Sequence, residues 1–106
     1  MLVRQSTLDP TVTVLEVETG DVGPMVDLLE TRGHGFTVLG IEQRMVVVDG
    51  RLRARLSRHH LLAIEAHEIS HIHFPDADET ETDRAAIRLL TAMKQPMAAR
   101  LLRARL

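Results

Sequence analysis

At 106 residues the chain has room for one hydrophobic core and no second domain. A net charge of −2 gives no general pull toward nucleic acid or an anionic membrane, and Phe36 and Phe74, the sole aromatics, make no platform for stacking bases. Cysteine is absent, so a disulfide framework is excluded and any metal must be held by histidine and carboxylate.

The first ten residues, MLVRQSTLDP, are too poor in apolar residues for a signal peptide. No apolar run reaches the length of a membrane span, and the expectation is a cytoplasmic protein. Residues 11–18, TVTVLEVE, are β-branched and alternate, which predicts a strand. Gly20 to Gly23 interrupt it. Pro24 suits a first helical position, and Met25, Val26, Leu28 and Leu29 give a short apolar stripe. Gly33 and Gly35 close that helix. Residues 36–41, FTVLGI, and 44–49, RMVVVD, predict two strands, paired as a hairpin across Glu42–Gln43. Asp49–Gly50 marks a turn.

Ser57 is an N-cap for a helix from Arg58 to about His73. Leu61, Leu62, Ala63, Ile64, Ala66, Ile69 and Ile72 make it apolar over most of its circumference, so it belongs in the middle of the domain. Phe74–Pro75 ends it, because the residue before a proline avoids helical geometry. A second helix is predicted from Asp76–Glu79 to about Lys94, broken by Pro96. The last segment, MAARLLRARL, has helical propensity and a basic face. It reads as a plain docked helix, as a partner-binding or dimer helix, or as a segment across a cleft (residues 96–106) that keeps an enzyme latent. The pattern is α+β, with a small three-stranded sheet and two long C-terminal helices.

The chemistry is concentrated in His67-Glu68-Ile69-Ser70-His71, an HExxH motif inside the buried helix. Residues four apart share a helix face, so both imidazoles can reach one ion. Glu68, about a quarter-turn away, can take a proton from an attacking water without ligating the metal. Two neutral nitrogen ligands and a nearby carboxylate are what hydrolytic zinc chemistry needs. A catalytic site needs a third protein ligand. The HExxHxxGxxH spacing is missing, since His73 lies off the shared face, so the ligand is sought among the acids from Asp76 to Asp83. In the second helix Glu79 and Asp83 share a face with Ala86, Ile87 and Leu90, whereas Glu81 points about 200° away. An antiparallel helical hairpin sets Glu79 beside His71 and Asp83 beside His67. Glu79 is then the third ligand and Asp83 the carboxylate that orients the His67 ring, with Glu81 as the alternative ligand. Acids at a helix N-terminus also have a plain electrostatic reason to be there.

The stretch from Arg44 to Leu90, with MVVVDGRL, IEAHEISHIHF and ETETDRAAIRLL in turn, resembles the minimal gluzincins and the related ImmA/IrrE-type peptidases. The resemblance implies a minimal zincin-like domain with a buried HExxH helix, an antiparallel glutamate helix and a short C-terminal helix. It implies zinc on His67, His71 and Glu79, Glu68 as general base, and Asp83 as helper. Thr82 stands where alanine is usual, the gap from His71 to Glu79 is short, and no helix-turn-helix region is present.

The expected activity is a zinc-dependent metalloendopeptidase, latent or very selective, acting on a protein or peptide and not on nucleic acid or membrane. The competing reading is a non-catalytic zinc-binding interaction module on the same scaffold. A third is a metal-free α+β domain. Manganese, iron and nickel also accept this donor set. With no tyrosine to steady an oxyanion, His34, His59, His60, Arg51 and Arg53 are the alternatives, and His60 lies two turns before His67 on its face. Substrate is expected to extend along residues 44–49 as an edge strand. The oligomeric state is left open.

Overall fold

The computed structural model describes residues 1–39 and 44–106. Four strands form one mixed sheet: β1 (Leu2–Gln5), β2 (Thr13–Val17), β3 (Gly35–Leu39) and β4 (Arg44–Asp49), in spatial order β1-β2-β4-β3. The helices are α1 (Pro24–Arg32), α2 (Arg58–His73), α3 (Glu79–Ala92) and α4 (Pro96–Arg103), with a 3₁₀ turn over Gly50–Ala54. The architecture is α+β, but the sheet has four strands where the sequence predicts three. The missed strand, β1, is almost wholly exposed and carries no apolar alternation to announce it. It pairs antiparallel with β2, Leu2 opposite Glu16 and Gln5 opposite Thr13.

β4 runs parallel to β2 and antiparallel to β3. The expectation that residues 44–49 form an edge is therefore wrong, and β3 is the edge beside α2. The physical reason lies in Val46, Val47 and Val48. All three are buried, which requires cover on both faces and hence an interior strand. Val46 and Val48 join Val14 beneath α2, α3 and α4, against Ala66, Ile69 and Leu90. Val47 faces the other way, with Val17, Phe36 and the α1 residues Val26 and Leu29. The sheet is thus sandwiched between α1 and a three-helix layer. No helix is long and apolar enough to cross a membrane among the described residues.

Smaller differences have local causes. β2 begins at Thr13, not Thr11, because Asp9 holds residues 11 and 12 in a turn: its carboxylate accepts from the Thr11 amide (3.0 Å) and its carbonyl from the Val12 amide (2.9 Å). Gly33 does close α1, at a φ of +97°. Gly35 instead opens β3, where a Cβ would lie 3.0 Å from Ile64 Cγ2 and 3.1 Å from the Val47 carbonyl, so glycine lets this edge approach α2 closely. The Glu42–Gln43 link and the end of the predicted strand at Ile41 lie outside the described residues. α3 ends before Pro96: Lys94 takes a left-handed φ of 58°, and the Gln95 amide donates to the Leu90 carbonyl at 2.8 Å. Pro96 starts α4 rather than breaking α3. α4 is docked, with Ala98, Ala99 and Leu102 in the core.

Candidate metal centre and cleft

α2 is capped by Ser57, whose hydroxyl accepts from the His60 amide, and it stops at Phe74 ahead of Pro75. Asp78 caps α3, its carboxylate accepting from the Glu81 amide at 2.7 Å. The short connection folds α3 back antiparallel on α2. This brings the Glu79 carboxylate within reach of both histidines, nearer to His67 than the expected pairing with His71, and sets Asp83 beside His67.

Nδ1 of His67 lies 2.6 Å from Oδ1 of Asp83, in a buried contact. A carboxylate only accepts, so Nδ1 carries a proton, and in the neutral ring Nε2 then presents a lone pair. That lone pair is not alone. Nε2 of His71 lies 3.1 Å away and Oε2 of Glu79 3.0 Å away, while Oε1 of Glu79 is 3.4 Å from Nε2 of His71. Electron-rich atoms at this range repel unless a cation or proton sits among them. The edge of a zinc tetrahedron with bonds of about 2.0–2.1 Å is about 3.3–3.4 Å; the His67–His71 separation and the separation of His67 from Oε2 of Glu79 are somewhat shorter, and His71 meets the other oxygen of Glu79. Histidine nitrogen and carboxylate oxygen are also the donors zinc takes. The group has three members among the described residues, one fewer than a tetrahedron holds.

Exposure differs along this set. His67 and Asp83 are buried, whereas the Glu79 side chain is 71% exposed. Glu81 stays on the solvent side, and among the described residues its side chain makes no ion pair, while its amide donates to the Asp78 cap. Thr82, at the position where the resemblance expects alanine, is fully buried, and its hydroxyl donates to the Asp78 carbonyl at 2.7 Å.

These residues open onto a cleft of about 590 Å³, walled by Gly35, Phe36, Thr37 and Leu39 of β3 and by Ile64, His67, Glu68 and His71 of α2. Glu68 faces it at 9% exposure. The Thr37 hydroxyl lies 2.9 Å from Oε2 of Glu68 and 2.8 Å from the Glu68 carbonyl, and it holds that carboxylate against the edge strand. No sequence motif points to Thr37. Its one signal is a hydroxyl in the otherwise apolar run FTVL.

Of His34, His59, His60, Arg51 and Arg53, the alternatives for an oxyanion, His34 alone lines this cleft among the described residues. Nδ1 of His60 is 2.8 Å from the Ser57 hydroxyl at the helix cap. His59 lines a separate cavity with Arg4 and Arg58. Arg51 is paired with Asp49 and Glu30, and Arg53 with Glu16. His73 donates to Asp9 at 2.8 Å, away from the metal group.

Comparison with family models, with curated proteins and with solved structures finds no match to this chain.

Proposed function

We propose that the protein is a zinc-dependent peptidase. The observation that carries this reading is the convergence of the His67, His71 and Glu79 donor atoms, one tautomer fixed by Asp83, beside a separate carboxylate in an open cleft. Zinc, when bound there, supplies Lewis acidity toward a water and a carbonyl oxygen. Glu68, adjacent in the cleft and not a member of the donor group, takes the proton of the attacking water and delivers it to the departing amine. Thr37 keeps that carboxylate at the β3 wall. β3, the terminal strand that lines the cleft with α2, offers its edge to an extended peptide, so that the scissile bond lies between β3 and α2. A purely structural zinc site has no use for Glu68, and that favours the enzyme over a zinc-binding interaction module.

The test is elemental analysis with activity. Wild type should hold about one zinc per chain. Glu79→Ala should lose it, Glu81→Ala should not, and Glu68→Gln should keep zinc while losing hydrolysis of a mixed peptide library. Zinc retained without cleavage by wild type favours the binding module. No zinc after reconstitution removes both readings.

A further inference from the structure

The cleft has a sign. Besides the metal group and Glu68, the ionisable residues lining it are Arg32, His34 and Arg105. Arg32 is the last residue of α1 and is exposed, and among the described residues it makes no ion pair. Arg105 follows α4, at the other end of the chain from α1. Its Nε is 3.5 Å from Oδ2 of Asp83, and its side chain is 57% exposed, so most of its five N–H donors remain available. Glu68 and Glu79 together offset the two charges of a divalent ion. Asp83 offsets Arg105, so one guanidinium charge, that of Arg32, is in excess, although the chain as a whole has a net charge of −2. The excess positive charge is therefore local to the cleft, which both Arg32 and Arg105 line together with the metal group.

We infer that the cleft selects peptides bearing a carboxylate beside the scissile bond, with Arg32 and Arg105 as the specificity-determining residues. The inference rests on the peptidase reading and names its substrate class. A carboxylate about 6–8 Å from a guanidinium in a half-solvated cleft gains a few-fold in affinity per cation, and salt screens that gain. The carboxylate could belong to an Asp or Glu side chain or to a peptide's free C-terminus, and a guanidinium fork suits either.

The experiment uses the full chain with Glu68→Gln, loaded with zinc, so that bound peptide is not turned over. Four labelled peptides share one sequence: glutamate, glutamine or lysine flanking the central bond with an amidated end, and the glutamine peptide with a free C-terminal carboxylate. The expected result is glutamate bound at least about fivefold tighter than glutamine at low salt, with lysine weakest. The gap should collapse in Arg32→Ala/Arg105→Ala and with added salt. An advantage shown instead by the free-acid peptide keeps the carboxylate chemistry and assigns it to a chain end. Equal affinities, no binding, or a preference that survives the double substitution overturns the inference. Wild-type cleavage of the neutral peptide separates the two claims: cleavage without charge preference sinks only this inference, while no cleavage of any peptide sinks the peptidase reading.

Discussion

Replacing Asp83 by alanine should weaken zinc binding without touching a ligand. The contact at stake is a 2.6 Å hydrogen bond from Nδ1 of His67 to a carboxylate that is itself only 6% exposed. A hydrogen bond to a charged partner in such a place contributes about 1.5–3 kcal/mol. Loss of a carboxylate that orients a ligating histidine lowers metal affinity by about 10–100-fold, or about 1.4–2.8 kcal/mol. The two estimates agree because the same bond sets the ring angle and the tautomer. The Arg105 contact with Asp83, longer and exposed, adds little. Asp83→Asn keeps an acceptor oxygen and should lose about 3–10-fold, since the charge goes but the tautomer stays. Competition against a chromophoric chelator measures both affinities, and circular dichroism of the metal-free proteins checks that they are folded. Folded Asp83→Ala that binds zinc within about twofold of wild type would refute the reasoning.

Thr37→Val should leave zinc binding unchanged and lower kcat/KM for peptide hydrolysis by about 3–10-fold, the worth of one hydrogen bond of about 1 kcal/mol to Glu68; an equal loss of zinc would mean that Thr37 acts through the fold instead. Asp9 gives the pH prediction. Burial alone would raise its pKa, but hydrogen bonds from His73 and Thr11, with Arg44 nearby, hold it at about 2 against an ordinary 3.8. A depressed folded-state value means stability fully present above the unfolded value and lost as pH falls through the folded one, so the contribution of up to about 2 kcal/mol should fade between 3.8 and about 2. Urea unfolding of wild type and Asp9→Asn should show a difference at pH 7 that closes over that window. A constant difference would put the stabilisation elsewhere.

The parts of the candidate site that lie on one helix were legible. Ser57, the apolar run and Phe74–Pro75 bound α2 without tertiary information, and the spacing of His67 and His71 sets them on one face. Glu79 and Asp83 follow from the same rule applied to α3, once the short connection forces the helices antiparallel. Acid at the start of a helix normally signals a dipole preference and nothing more. What singled out these two was the angle they share with Ala86 and Leu90, both buried in the core.

Strand order was harder to read, although one clue was available. Three consecutive buried valines are the mark of a strand covered on both faces, so β4 had to be interior and β3 the edge. β1 offered no such clue. It is held by charge rather than by alternation. Arg4 reaches Glu16 on the neighbouring strand at 2.9 Å and also Glu65 on α2, whose other oxygen accepts from the Ser6 hydroxyl at 2.6 Å. Arg53 closes the network on Glu16 and, with Arg4, keeps that carboxylate below its ordinary range against the effect of burial. Glu16 and Glu65 are 1% and 2% exposed. Each would be costly alone, and pairing makes the burial tolerable. No residue period records a bond between positions 4 and 65, so the strand is visible only once the helix has been placed over the sheet.

The same distinction separates the metal group from the cleft around it. Ligand positions are fixed by helical repeat, a property of a few neighbouring residues. The cleft walls are fixed by which strand ends up at the edge and where α4 docks, and both depend on the whole chain. Thr37 reaches Glu68 because β3, and not β4, borders α2, and because Gly35 lets the strand come close. Arg105 reaches Asp83 because Ala98, Ala99 and Leu102 pin α4 into the core. Arg32 enters the same space because α1 ends, at Gly33, just before that edge strand begins. If the cleft recognises carboxylates, its specificity is therefore a product of sheet order and helix docking, whereas the residues that could hold a metal all come from the α2–α3 hairpin. The two should come apart under mutation: changes that disturb β3 or α4 should alter which peptides bind while zinc stays in place, and changes to Asp83 should do the reverse.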